Sequence, residues 1–73
     1  MNYETLILDD PTPPHLIESA LHAEIQNAPI EAIWLSPTNA QNLAIACCLP
    51  PSYIPTHFQS IPIFITPEPA FHN

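Results

Sequence analysis

Proline decides where this chain can be regular. Eleven of its 73 residues are proline and none is glycine, so almost every connection is stiffened by a fixed φ and a missing N–H. Between the prolines the apolar runs are short. Tyr3 to Leu8 (YETLIL) is rich in β-formers and closed by Asp9, Asp10 and three prolines, which predicts a buried strand. Apolar residues then recur at Leu16, Ile17, Ala20, Leu21, Ile25 and Ala28, a helical spacing. Pro13 and Pro14 are tolerated in its first turn behind Thr12 or Asp10 as N-cap. Pro29 stops that helix, with Asn27 standing in for the missing C-cap glycine.

The pattern repeats. Ile30 to Leu35 (IEAIWL) predicts a second strand, and Ser36 and Pro37 the cap and first position of an Ala-rich helix through Cys47, ended by Pro50 and Pro51. A Pro-rich loop over 50–60 precedes a third strand, Ile61 to Ile65 (IPIFI), and a tail over 66–73. Pro62 cannot donate to a ladder, so this strand is expected at an edge or paired only beyond that residue. The expectation is one small acidic domain over 1–73, of α/β class, built β-α-β-α-β with a mainly parallel three-stranded sheet and two helices. If both helices lie on one face, the other needs cover from the Pro-rich loop or from a partner. The uncovered set is then Tyr3, Thr5, Ile7, Ala32 and Trp34, or their alternating neighbours. With glycine absent, the prolines and the five asparagines are expected to fill the turn positions.

Composition removes whole chemistries. There is no Lys and no Arg against seven acidic residues, a net charge of −7. Lacking glycine, the chain can build no P-loop, dinucleotide fingerprint or nucleophile elbow. Lacking Lys and Arg, it has no Schiff-base amine, phosphate clamp or basic footprint for nucleic-acid phosphates, and direct nucleic-acid binding is not expected. No apolar stretch approaches the 18 or so residues of a membrane span, and no basic segment opens the chain. The reading is a soluble, unsecreted protein with no membrane contact, no cofactor and thiols suited to a reducing compartment. A field of one sign favours encounter with a basic partner.

The carboxyl ends of parallel strands share one rim, which here receives Asp9 and Asp10, then Ser36, then Glu68. Helix capping and solvated surface explain these residues on the plainer account; an acidic rim that docks on a basic surface is the functional one. Trp34, Tyr53 and Phe58 are either core or, as aromatics, binding contacts. With Tyr3 and Glu4 they complete the candidate partner-binding set of Tyr3, Glu4, Asp9, Asp10, Trp34, Tyr53, Phe58 and Glu68. His15, Glu18 and His22 share one face of the first helix. The two imidazoles are two turns apart, about 10 Å along the axis, which favours a polar stripe with a Glu18–His22 pairing over a metal site. Cys47 and Cys48 meet neither redox nor zinc spacing, and a nucleophilic pair of a Cys with His57 lacks oxyanion donors. No enzymatic activity is expected.

The run TLILDDPTPPHLIESAL resembles the opening of response-regulator receiver domains, whose first strand ends in paired acids that help hold magnesium; Asp9 and Asp10 match these. The second strand, however, runs into Ser36 and Pro37 and the third into Thr66 and Pro67, so no phosphoacceptor Asp follows. As a whole, the length, the opening MNYETLILDD, the β-α build around IWLSP and the end IPIFITPEPAFHN resemble the small host-takeover proteins of bacteriophages. Within that group the chain looks like the RNA-polymerase-binding regulators exemplified in a lytic Xanthomonas phage. That resemblance implies binding to bacterial RNA polymerase at the N-terminus of the β′ subunit, inhibition of initiation, antitermination, and residence in the cytoplasm of the infected host. It transfers no individual functional residue. Two rival readings are an acidic DNA mimic that inhibits a CRISPR complex or nuclease, and a small metal- or phosphoryl-handling domain on Asp9 and Asp10.

Overall fold

A computed structural model describes residues 2–50 and 52–66. The elements run β1 (Glu4–Leu8), α1 (Pro14–Asn27), β2 (Ile30–Leu35), α2 (Pro37–Ala46), β3 (His57–Phe58) and β4 (Ile61–Ile65). They form one α/β sheet of four strands in the order β1-β2-β4-β3. β1 pairs parallel with β2 and β2 with β4, while β3 pairs antiparallel with β4. The expected three-stranded β-α-β-α-β build is therefore incomplete. Inside the 50–60 segment, His57–Phe58 forms a short fourth strand that closes a hairpin onto β4. A strand of two residues carries no readable alternation, which is why the sequence pattern does not reveal it.

The two crossovers step the same way along the sheet, from β1 to β2 to β4. Parallel crossovers are right-handed, so two steps in one direction put both helices on one face. The core lies there: Ile17 and Leu21 of α1, Ala40 and Leu43 of α2, and Ile33, Leu35 and Ile63 of the sheet form its buried cluster. Leu6, Leu8, Ile61, Ile65 and Phe58 pack against it from the sheet side.

Pro62 of β4 stands opposite His57, and pairing with β2 begins one residue later, at Ile33↔Ile63. β4 is thus an inner strand that tolerates its proline by starting its parallel ladder beyond it. Ser36 caps α2 as expected, accepting from the Asn39 N–H at 3.1 Å, with Pro37 as the first helical residue. α1 differs from expectation. Its N-cap is Pro13, with no side-chain cap, and its C-cap is Ala28 in extended conformation, so neither Thr12, Asp10 nor Asn27 caps it.

The absence of glycine is met in an unexpected way. Among the described residues three hold positive φ: Cys48 at 61°, Gln59 at 51° and Ser60 at 69°. Cys48 sits just past the C-cap of α2, where Leu49 N–H donates to Ala44 O at 2.8 Å and Cys48 N–H to Ile45 O at 3.0 Å. That is the bonding of a Schellman motif, with a cysteine in the usual glycine position. Gln59 and Ser60 form the two-residue loop between β3 and β4, which demands positive φ at both positions and normally selects Asn-Gly. None of the asparagines among the described residues takes such a place.

Candidate interaction surfaces

The rim at the carboxyl ends of the strands is organised by a side chain that the sequence pattern does not single out. Asn39 is fully buried, alone among the polar and charged residues described. Its Nδ2 donates to Leu8 O at 2.9 Å and to Asp10 O at 2.8 Å, and its Oδ1 accepts from Thr12 N–H at 2.9 Å. Asn42 adds a donor to Thr12 O at 2.8 Å. The loop that carries Asp9 and Asp10 is therefore moored to α2 along its length, and the backbone groups it removes from water are satisfied. The other strand ends are stitched to the same place. Ser36 N–H donates to Leu8 O at 3.3 Å, and Thr66 N–H donates to Leu35 O at 2.8 Å. A signal for Asn39 did exist: with Ala40, Leu43 and Ala44 it falls on the buried stripe of α2, where an amide is retained only if its hydrogen bonds are made.

Asp9 and Asp10 themselves are exposed. With no Lys or Arg in the chain, no such cation within it neutralises them. Their charge faces solvent from a fixed loop.

The second surface is the sheet face opposite the helices. Register aligns Ile7 with Trp34 and Trp34 with Phe64, one apolar row across three neighbouring strands. Thr5 and Ala32 form the row beside it, and Pro62 and His57 share this face by alternation. Ile7 is 60% exposed and Phe64 44%, whereas Ile33, between Ala32 and Trp34, has no exposed surface. Trp34 is half-buried, its ring stacked on Phe64 with centroids 5.0 Å apart. Of the two alternating sets, the one with Thr5, Ile7, Ala32 and Trp34 is the open one.

The remaining candidates do not converge on one site. Tyr3 and Glu4 are exposed at the amino end of β1, six and five residues from Asp9 and so about 17–20 Å along the strand direction. Tyr53 is exposed in the loop after α2, a helix that starts at the rim and runs its ten residues, about 15 Å, away from it. Phe58 packs against the core on the helix side. Glu68 lies outside the described residues.

The polar residues outside these surfaces are engaged locally. His22 meets Gln26 through Nε2 at 3.0 Å and Gln59 of the hairpin through Nδ1 at 2.7 Å. A neutral ring donates at one nitrogen and accepts at the other, so one of the two amides presents its oxygen. Glu18 does not pair with His22; it accepts instead from the Cys47 thiol at 3.6 Å. Partial burial first, then the Glu18 charge and hydrogen bond and the neighbouring Cys48, raise the Cys47 thiol above its ordinary pKa, the reverse of an activated nucleophile. His57 meets the Thr56 hydroxyl through Nδ1 at 3.1 Å. Among the described residues no three or more His, Cys, Asp or Glu side chains come together as metal ligands. No described helix is long and apolar enough to cross a membrane. No protein-family model, curated protein or solved structure matches the chain.

Proposed function

We propose that this chain is a non-enzymatic binding protein of the phage regulatory type, which docks on a basic surface of bacterial RNA polymerase and alters initiation and termination. One observation carries the binding role: Asp9 and Asp10 are exposed on a loop held in place by Asn39 and Asn42, in a chain of net charge −7 that has no Lys or Arg. A fixed loop loses little conformational entropy on docking. Charges with no internal partner give up no ion pair to do so, and they speed encounter with Lys and Arg of a target. The choice of polymerase, and of the N-terminus of its β′ subunit, rests on the overall resemblance to phage host-takeover proteins. An acidic body beside an RNA exit path would repel transcript phosphates while gripping basic protein.

The test is size exclusion of the protein with bacterial core and holoenzyme RNA polymerase at low and moderate salt, using the Xanthomonas enzyme and a common laboratory one. A terminator-containing transcription assay runs alongside. Co-elution that weakens with salt, and that is lost in the Asp9→Lys/Asp10→Lys double variant, is the expected result. No co-elution with either enzyme would remove polymerase as the target, and unchanged affinity in the double variant would remove the rim as the contact.

A further inference from the structure

The two edges of the sheet are not alike. At one edge β3 is two residues long, His57–Phe58, and shortness itself protects an edge from pairing with another chain. At the other, β1 presents five residues, Glu4–Leu8, and among the described residues no strand lies beyond it. Glu4 N–H donates to Pro29 O at 2.8 Å and Leu8 O accepts from Ser36 N–H at 3.3 Å, so both ends of β1 turn their backbone groups toward β2. Alternation then turns those of Leu6 inward, and the N–H and C=O of Thr5 and of Ile7 outward. The register shift between Glu4 and Thr5 skips Glu31 of β2 and leaves β1 itself regular. No turn, loop or side-chain hydrogen bond among the described residues reaches the backbone of Thr5 or Ile7, and both residues are exposed. Residues 5–8 hold no proline, no charge and no bulge to blunt the edge.

We infer that β1 takes up an extended segment of a partner protein as an added strand, one with apolar or β-branched residues at its centre and Lys or Arg at its ends. The inference rests on the proposed docking to basic protein and gives that docking a backbone component. In strand addition, main-chain hydrogen bonds, here to Thr5 and Ile7, supply affinity and alternate side chains supply specificity. Charge selects the occupant. Glu4 stands at one end of the strand and Asp9 and Asp10 just past the other, with uncharged residues between. A segment with a basic residue at each end meets both, whereas a second copy has no Lys or Arg and brings net charge −7 onto a chain of the same charge. The loop that carries Asp9 and Asp10 is held by Asn39 and Asn42, so the acidic end is in place before the segment arrives. The added strand also meets apolar ground on both sides. Its side chains on one face extend the Ile7–Trp34–Phe64 row beyond Ile7, which is 60% exposed. Those on the other lie beside Leu6 and Leu8, half-buried against the core.

The probe is a synthetic peptide of alternating Val and Thr with Lys at both ends, and its control carries Glu at both ends instead. Amide hydrogen exchange of the full chain, read residue by residue by NMR, reports the edge. In the free chain the Thr5 and Ile7 amides are expected to exchange faster than those of Leu6 and Leu8, which face β2. At about ten times its dissociation constant the Lys peptide is expected to slow Thr5 and Ile7 about tenfold. Moderate salt is expected to weaken that protection, and the Glu peptide to give none. Ile7→Pro removes an outward N–H and leaves the ladder to β2 intact. It is expected to weaken the Lys peptide at least about fivefold, with unchanged far-UV circular dichroism. Phe64→Thr, two strands away on the open face, is expected to bind as the wild type does. Should Ile7→Pro fail to fold, the comparison of the two peptides on the wild-type chain still decides.

Thr5 and Ile7 amides left unprotected at every concentration of the Lys peptide would overturn the inference, as would equal protection by the two peptides. So would binding lost in Phe64→Thr, because the peptide would then lie across the open face. Protection that rises with protein concentration in the absence of peptide would mean that a second copy pairs at β1, and that too would overturn it. The result is separable from the choice of polymerase. Protection by the Lys peptide without polymerase co-elution keeps the edge and removes polymerase. Polymerase co-elution undiminished in Ile7→Pro, with no protection by the peptide, keeps the rim and removes the edge.

Discussion

On one side of the sheet, Ile33 and Leu35 have no exposed surface beneath α1 and α2; between them in sequence, Trp34 points the other way and stacks on Phe64 where no helix lies. The two faces differ little in composition. Leu6, Ile33 and Ile63 form a row on the covered side, and Ile7, Trp34 and Phe64 form the adjacent row on the open side. What separates them is topology. Two right-handed crossovers that step in the same direction deliver both helices to one face, and among the described residues there is no third helix for the other. An apolar residue in a strand is thus not evidence of a core position until the connections are known.

The comparison is sharpened most by truncating one residue from each side. Ile33→Ala is expected to cost about 2–5 kcal/mol in urea denaturation at dilute protein, a large part of what a domain of this size holds. Ile7→Thr, on the open side, is expected to stay within about 0.5 kcal/mol under the same conditions. Equal losses at the two sites would mean that the open face is covered.

Next in size is the mooring of the rim. Asn39→Asp replaces a buried amide that donates to Leu8 O and Asp10 O with an acceptor-only carboxylate when ionised. Stability is expected to fall by about 3 kcal/mol or more, the cost of an unsatisfied and charged buried group. Lowering the pH is expected to recover part of it as the carboxyl gains a proton. Asn39→Ala is expected to lose about 1–3 kcal/mol with no such pH dependence. A stable Asn39→Asp protein would show that the rim loop does not depend on this side chain.

Smaller gains are expected from supplying the missing glycines. Cys48→Gly and Ser60→Gly each relieve a side chain held at positive φ and are expected to raise stability by about 1 kcal/mol, read as a higher urea midpoint. The smallest effect concerns the Cys47 thiol, raised by partial burial and by Glu18. Because its folded pKa exceeds the unfolded one, its contribution is complete below the unfolded value and is lost as pH rises through the folded value. In a Cys48→Ser background, Glu18→Gln is expected to shift the pH profile of Cys47 alkylation downward. No shift would mean that Glu18 does not act on the thiol.

Much of the frame was legible because proline and serine mark it. Pro29 and Pro37 bracket β2 at Ile30–Leu35, and Ser36 caps α2 as its sequence context demands. β4 was legible as IPIFI, but its inner position was not, since Pro62 permits either an edge strand or a late-starting ladder. β3 was hidden by its length. The left-handed residues Cys48, Gln59 and Ser60 carry no turn signal of their own. The end of α2 and the tightness of the hairpin impose that conformation on whatever residue is there. Asn39 is not legible in the sequence, because an amide in an Ala-rich helix has the pattern of a surface residue and only the neighbouring loop requires its donors. Of the proposed contacts, Asp9 and Asp10 are placed on the rim by following the carboxyl end of the first strand of a parallel sheet, whatever the strand order, while the choice of open face required the structure.

Acrylamide quenching of Trp34 in dilute solution tests the one-sidedness of the fold most directly, because acrylamide is uncharged and ignores the acidic field. Helix cover on one face alone predicts a Stern–Volmer slope characteristic of a half-exposed indole. A slope near zero in the dilute monomer would show that Trp34 is sealed, and would contradict an open Ile7–Trp34–Phe64 face.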